Sequence, residues 1–169
     1  MIARGGRFEF VWSDSSASLA AIVAALVDRY NASGYGGRYA VRQDDSGGLH
    51  VVPVGSRSAA GAFVVRPPLL DAPVKMPGGH VSGDDLLLAV TQQVSHSEFM
   101  RRSPHHELGI GVAPTNLMRQ TVVNVPAGTH AARELLVRLR AATGLPISWT
   151  LMCQPSYPVC MLNVHIVER

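Results

Sequence analysis

The two cysteines, Cys153 and Cys160, are the residues of this sequence whose chemistry is easiest to specify. If they pair across the turn 154–159, the flanking strands align in one antiparallel register. Every pair on one face is then apolar: Leu151 with Leu162, Trp149 with Val164, and Ile147 with Ile166. The sequence therefore predicts a disulfide, which would favour an oxidising compartment. Two reduced thiols in the core are the alternative.

Zinc is a rival use of the same cysteines, because Cys153, Cys160 and His165 are all zinc-ligand types. His165 lies an odd number of residues after Cys160, so on a regular strand the two side chains point to opposite faces. No second cysteine pair supplies the missing ligands. We therefore predict no metal site at these residues.

The other histidines suggest a second hypothesis, in which they line a ligand-binding or catalytic cleft. The run His105-His106-Glu107 lacks the His-Glu-x-x-His spacing that places two ligands on one helix face. His80 and His130 each follow a turn that contains proline. A small-ligand-binding or hydrolytic domain would need His80, His96 and His105-His106 to line a cleft between two units of the chain, and this is the second hypothesis.

Motifs for enzymatic chemistry are missing from the sequence. It has no Gly-x-Ser-x-Gly nucleophile elbow. The run Gly34-Tyr35-Gly36-Gly37 lacks the Lys-Ser/Thr pair that completes a phosphate-binding loop. We expect a protein that is not an enzyme and that takes no cofactor.

An apolar stretch in a connector forms the predicted partner-binding surface. Residues 55–70 are rich in Ser, Ala, Gly and Pro, yet they contain Phe63-Val64-Val65-Arg66. Exposed apolar stretches often mark interfaces; the alternative is that this stretch folds back on its own sheet as an extra strand. Tyr157 is a further candidate, because its two neighbouring prolines lower the entropy lost on fixing an aromatic side chain.

Composition restricts the class of protein. Of 169 residues, 47% are hydrophobic and 16% are charged, so burial can offset the entropy of folding and general disorder is excluded. No apolar run reaches the roughly 18 to 20 residues that cross a bilayer. The net charge of +3 is dispersed and carried by arginine, with Lys75 as the one lysine, which argues against a nucleic-acid partner.

Three helices are predicted from hydrophobic residues that recur with helical spacing. The first has an apolar face over 19–30, with N-cap oxygens at Asp14 to Ser16. The second begins near Ser82, and the third begins near Thr129 and ends at Gly144. Short β-type runs surround them: 8–12, 39–42, 50–54, 74–76, 108–112, 121–125, 147–153 and 160–167.

A hairpin is predicted between two of these strands. Asp44-Asp45-Ser46-Gly47-Gly48 is typical of the loop between two antiparallel strands. Pro53 has no backbone N–H, which predicts that the second strand lies at a sheet edge.

A repeat organises these elements along the chain. Val74 to His80, followed by a capped helix, matches Val123 to His130, followed by another. The expected organisation is a βαββ unit at 1–54, a Pro-rich apolar linker at 55–70 and a βαβ-βαββ domain at 71–169. This is an α+β fold with small mixed sheets and helices packed on one face.

The last unit also carries motifs in a fixed order. They are Ile110-Gly111-Val112-Ala113-Pro114, Asn116-Leu117, Val122-Val123-Asn124-Val125, Thr143-Gly144-Leu145-Pro146-Ile147 and Leu162-Asn163-Val164-His165-Ile166. On these motifs, residues 71–167 resemble the short N-terminal domain of secretins and TonB-dependent receptors, and residues 8–54 resemble its latter half. The resemblance implies a periplasmic, non-enzymatic domain that contacts protein partners in secretion pores or in transport and signalling receptors.

These observations predict a protein–protein interaction module of the bacterial cell envelope. We expect an accessory or assembly subunit of a larger complex, which binds through sheet edges and the apolar linker. The expected location is the periplasm or cell envelope, with the cytoplasm as the alternative.

Overall fold

The chain divides into two units, with the boundary between Pro68 and Leu69, in a computed structural model. The structure describes residues 10–34, 36–57, 60–101, 107–153 and 158–167. Both units combine helices with small sheets, which confirms the predicted α+β class. Across those described ranges, no helix is both long enough and apolar enough to cross a membrane.

In its described residues, the first unit has one helix and one antiparallel sheet. Its elements are α1 (Leu19–Ala32), β1 (Gly37–Gln43), β2 (Leu49–Arg57) and β3 (Phe63–Val65). The strands pair in the order β1-β2-β3. Ser18 caps α1 by accepting a hydrogen bond from Ala21 N at 3.2 Å, so the helix begins after the predicted caps at Asp14 to Ser16.

The strand predicted at 8–12 is wrong for its described part. Residues 10–12 are not in a strand, and residues 8 and 9 lie outside the described residues. The rings of Phe10 and Trp12 stack at 5.7 Å between centroids, and Trp12 Nε1 donates to Asp14 O at 2.6 Å. Local contacts with the turn before α1 therefore hold this segment.

The hairpin loop after β1 forms as predicted, and Asp44 organises it. Its Oδ1 accepts hydrogen bonds from Ser46 N at 2.9 Å and from Gly48 N at 2.8 Å. Its Oδ2 lies 2.9 Å from Nε2 of the buried His50. Gly47 adopts φ of 82°, a conformation that favours glycine in tight turns.

Pro53 lies in the central strand of this sheet, so the predicted edge position is wrong. Tyr39 pairs with Pro53 and Arg38 with Gly55, which leaves Val54 as the extra residue of a β-bulge. The third strand pairs only with residues 55–57 and does not reach Pro53. The missing N–H of proline therefore removes no bond to β3.

The second unit places helices among one mixed sheet and two short ladders. Its elements are a 3-10 turn (Leu69–Asp71), β4 (Pro73–Met76), β5 (Gly79–Ser82), α2 (Gly83–Ser95), α3 (Glu98–Arg101), β6 (Glu107–Ala113), α4 (Thr115–Gln120), β7 (Val122–Val125), β8 (Gly128–Ala131), α5 (Ala132–Thr143), β9 (Ile147–Cys153) and β10 (Val159–Ile166). The ladders are β4-β8 and β5-β7, and the mixed sheet has the order β6-β10-β9.

The two ladders form one antiparallel ribbon between 73–82 and 122–131. Residues are opposite one another in a single register, from Pro73 with Ala131 to Ser82 with Val122. The ribbon is interrupted at its middle, where a Cβ on Gly78 would lie 2.8 Å from the backbone nitrogen of Ala127. Elements of the two halves begin 49 residues apart: β4 and β7 at 73 and 122, β5 and β8 at 79 and 128, α2 and α5 at 83 and 132.

The helices α2 and α5 supply much of the buried core of this unit. Ser82 caps α2 as predicted, with its side chain accepting from Asp85 N at 3.1 Å. Gly144 ends α5 with φ of 66°, also as predicted. The helix begins at Ala132 because the preceding residues form β8. The inward face of α5 is formed by four buried residues: Ala132, Leu135, Leu136 and Leu139.

Candidate partner-binding surface

The apolar stretch predicted to bind a partner forms the edge strand β3. Phe63–Val65 lies within the segment predicted as a linker, and it pairs with Gly55 to Arg57 of β2 as an extra strand. The three side chains are nevertheless exposed: 37% for Phe63, 37% for Val64 and 76% for Val65. The segment is therefore both part of the sheet and an apolar surface.

The backbone of β3 presents hydrogen-bonding groups on its outer side. Arg66 N donates to Val54 O at 3.2 Å, which fixes the alternation of inward and outward groups along this pair. The N–H and C=O of Phe63 and Val65 consequently point away from β2. Among the described residues, no strand pairs with this outer side. An open edge of this kind is a template for an added strand.

The Phe63 ring lies in a space that Gly55 leaves free. A Cβ on Gly55 would lie 2.4 Å from Phe63 Cζ and 2.6 Å from Val64 O, so no larger residue fits without movement. The guanidinium carbon of Arg38 lies 4.7 Å from the centroid of the Phe63 ring. This cation–π contact holds the ring against the sheet.

Three arginines lie around β3. Arg38 is on β1, Arg57 ends β2, and Arg66 directly follows β3. The three strands contain no Asp or Glu, and the acidic pair Asp44-Asp45 lies in the loop at the other end of the β1-β2 hairpin. Arg57 therefore places a positive charge beside β3 that no acidic residue of the three strands offsets, which favours an acidic partner.

The opposite edge of the same sheet is closed at one residue, Tyr39, by Asn31 of α1. Its Oδ1 accepts from Tyr39 N at 2.9 Å, and its Nδ2 donates to Tyr39 O at 2.8 Å. The Tyr39 ring also meets the Tyr30 ring edge-on, with centroids 5.5 Å apart. Burial raises the pKa of Tyr39 to about 12, and the nearby Tyr30 adds to the shift. Asn31 therefore occupies the outward backbone groups of β1 at Tyr39.

Comparison with known proteins finds no relative of this chain. No family model, curated protein or solved structure matches the chain. The chemistry of its own side chains is therefore the basis for a functional hypothesis.

The histidines of the second hypothesis occupy different surroundings. His80 is exposed on β5, opposite Asn124. His96 is exposed at the end of α2, where its Nδ1 lies 2.7 Å from Gln92 O. His105-His106 lies outside the described residues. Within the part of the chain that the structure describes, no group of three or more His, Cys, Asp or Glu side chains could hold a metal ion.

His130 has a structural environment that differs from that of His80. It lies on β8 opposite the buried Val74, and its Nε2 lies 2.9 Å from Pro126 O. In the 49-residue shift between the two halves, Thr129 rather than His130 corresponds to His80. The two histidines are therefore not matching positions of the ribbon.

Cys153 and Cys160 form the predicted disulfide, with Cα atoms 4.3 Å apart. The predicted register of β9 and β10 is confirmed for every apolar pair: Leu151 with Leu162, Trp149 with Val164, and Ile147 with Ile166. His165 lies on the other face, where its Nε2 is 2.9 Å from Ser148 Oγ. Tyr157, the remaining candidate for partner contact, lies outside the described residues.

Two residues that define this surface were missed by the sequence reasoning. Gly55 carries a usable signal, because a glycine inside a strand pattern indicates a bulge or a close approach. Asn31 carries none, because its partner Tyr39 belongs to another element and only the folded geometry brings them together.

Proposed function

We propose that this protein is a non-enzymatic interaction module of the bacterial cell envelope, an accessory or assembly subunit of a larger complex. Its partner contributes a strand to the outer edge of β3. The observation that carries this proposal is the combination of outward backbone groups and exposed apolar side chains at Phe63 and Val65.

The side chains around the edge of β3 indicate what kind of partner segment would bind there. Apolar side chains of an added strand would cover Val65, the most exposed residue of β3. An acidic side chain at one end would meet Arg57, since opposite charges favour the correct partner and speed its association. The partner segment is therefore extended, apolar at its centre and acidic at the end that meets Arg57.

Two further observations support the envelope location. The disulfide between Cys153 and Cys160 is typical of proteins that fold in oxidising compartments. The second unit has the element order βαβ-βαββ when each interrupted strand of the ribbon is counted once and the short helices α3 and α4 are left out. That order accords with the resemblance of residues 71–167 to the short N-terminal domain of secretins and TonB-dependent receptors.

A charge placed on the edge strand tests the function. Wild type, Val65→Lys and Leu88→Lys are used to capture proteins from cells of the source organism. Leu88 is the matched control, because it is an apolar residue 53% exposed on α2. We expect partners that wild type and Leu88→Lys retain and that Val65→Lys loses by at least about tenfold.

Hydrogen exchange then locates the contact. In the purified complex, the amides of Phe63 and Val65 should exchange more slowly than in the free protein. Capture that is equal for Val65→Lys and wild type, or unchanged exchange at both amides, would overturn the proposed role of β3.

A further inference from the structure

The outer edge of β4 offers no free N–H at the two positions where its backbone faces outward. Ala132 N donates to Ala72 O at 3.0 Å, so the alternation of an antiparallel pair turns residues 73 and 75 away from β8. Pro73 has no N–H to offer. At Lys75, Gln93 Oε1 accepts from the backbone N at 2.7 Å, and Gln93 Nε2 donates to the backbone O at 3.0 Å.

Gln93 closes this edge with the same chemical group that a neighbouring strand would present. Its carboxamide supplies one acceptor and one donor to a single residue, as a peptide group does. Asn31 closes β1 in the same way at Tyr39. In both units, a side-chain amide therefore occupies the place of an added strand.

The outward positions of β7 follow from the same alternation. Gly83 N donates to Thr121 O at 2.9 Å, which corresponds to the bond between Ala132 and Ala72 in the other half of the ribbon. The backbone groups of residues 122 and 124 therefore point away from β5. The 49-residue shift places these two residues where β4 has 73 and 75.

At β7 both closing devices are missing. Val122 has the N–H that Pro73 lacks. Ala142 stands 49 residues after Gln93 on the equivalent helix α5, and its methyl group cannot bind the backbone of Asn124. Val122 is 63% exposed, and Asn124 is also exposed. Two consecutive outward positions of β7 are therefore accessible to a peptide.

One exposed positive charge lies on α5, the helix that packs beside β7. Arg138 is exposed on α5 one turn before Ala142, on the same face of the helix. We propose that β7 accepts an extended, acidic segment of a partner protein as an additional strand, which pairs with Val122 and Asn124. This site lies in the second unit and does not depend on the proposed role of β3.

Peptide titration of the full chain tests the proposal. The probes are two end-blocked peptides, Thr-Val-Glu-Val-Thr and Thr-Val-Lys-Val-Thr, added to the nitrogen-15-labelled protein. We expect the Glu peptide to shift the amide signals of Val122 and Asn124 and to bind at least about tenfold more tightly than the Lys peptide. Ala142→Gln, which restores the missing amide, should weaken the Glu peptide by at least about tenfold. Ala141→Gln is the control, because Ala141 is also exposed and lies on a different face of α5.

Hydrogen exchange of the free protein gives an independent readout. The Asn124 amide should exchange faster than the Lys75 amide in wild type and slow to a comparable rate in Ala142→Gln. Equal protection of both amides in wild type, no shift at Val122 or Asn124 up to millimolar peptide, or equal binding by Ala142→Gln would overturn the proposal. A wild-type dimer that Ala142→Gln converts to a monomer would identify a second copy as the occupant and would also overturn it.

Discussion

Arg38 and Phe63 make a cation–π contact of 4.7 Å between two strands that do not pair with each other. The strand between them contributes Gly55, which is in register with Arg38 on one side and with Val65 on the other. The absence of a side chain at Gly55 lets the aromatic ring lie across the sheet. The position of edge strand β3 therefore depends on the space at Gly55 as well as on the apolar residues of β3 itself.

Gly55→Ala should detach or displace β3. The new Cβ would lie 2.4 Å from Phe63 Cζ and 2.6 Å from the backbone oxygen of Val64, so both the ring and the strand must move. We expect a loss of about 1 to 3 kcal/mol in the free energy of unfolding, as for other overpacked sites. Urea unfolding measures the loss, and faster exchange of the Arg66 amide would locate it.

Gly36→Ala is the control for this prediction, because a Cβ at Gly36 meets no atom within 4 Å and its φ is not positive. Its stability should stay close to that of wild type. If Gly55→Ala and Gly36→Ala unfold at the same urea concentration, Gly55 does not set the position of β3.

Tyr39 should make the first unit sensitive to alkaline pH. Burial, with a smaller contribution from Tyr30, raises its pKa from 10.0 to about 12, so the folded state holds the phenolic proton more tightly than the unfolded state. The associated stability is fully present below pH 10 and is lost as the pH rises towards about 12. Subtraction of the Tyr39→Phe tyrosinate absorbance titration from that of wild type should leave a transition near pH 12. A difference transition centred near pH 10 would contradict the buried phenol.

The sequence predicts best where two local signals agree. In the β9-β10 hairpin, period-two alternation and the cysteine pair select the same register, and the structure has that register. Helix α5 could also be predicted from the sequence, because its recurring apolar positions and the Gly144 that ends it are local features. For Phe63–Val65 the sequence left open an exposed connector or an extra strand, because the segment lies among Ser, Gly and Pro residues; its tertiary position makes it a strand.

The features that decide which edges are open could not be predicted from local patterns. Gln93 and Lys75 are 18 residues apart, and their paired hydrogen bonds depend on how α2 packs beside β4. The sequence shows the repeat that begins at Val74 and Val123, but it does not show that the two copies pair with each other as an antiparallel ribbon. The prediction of Pro53 at an edge failed for a related reason, because a bulge and a short third strand accommodate it.

The ion pair between Arg133 and Asp71 should stabilise the second unit. Arg133 Nε and Nη2 each lie 3.1 Å from Asp71 Oδ1, and the two side chains are 14% and 24% exposed. Arg133→Ala should lower the free energy of unfolding by about 1 to 3 kcal/mol, since a shielded carboxylate would lose charged donors.

The exposed pair of Arg119 and Asp84 is the matched comparison, with a 3.7 Å separation. Arg119→Ala should change stability by less than about 0.5 kcal/mol in the same urea titration, and equal losses for both variants would refute the distinction.

Reduction of the bond between Cys153 and Cys160 should destabilise the β9-β10 hairpin. The bond closes a loop with a sequence separation of 7. A loop of this length is expected to contribute roughly 2 to 3 kcal/mol by restricting the unfolded chain. Urea unfolding of wild type with and without dithiothreitol measures this contribution. The double variant Cys153→Ala with Cys160→Ala should be insensitive to dithiothreitol and should unfold near the reduced wild type.

Thiol trapping in intact cells tests the proposed location through the same two cysteines. Both should resist alkylation until a reductant is added. Two freely reactive thiols in the native cell would contradict an oxidising compartment.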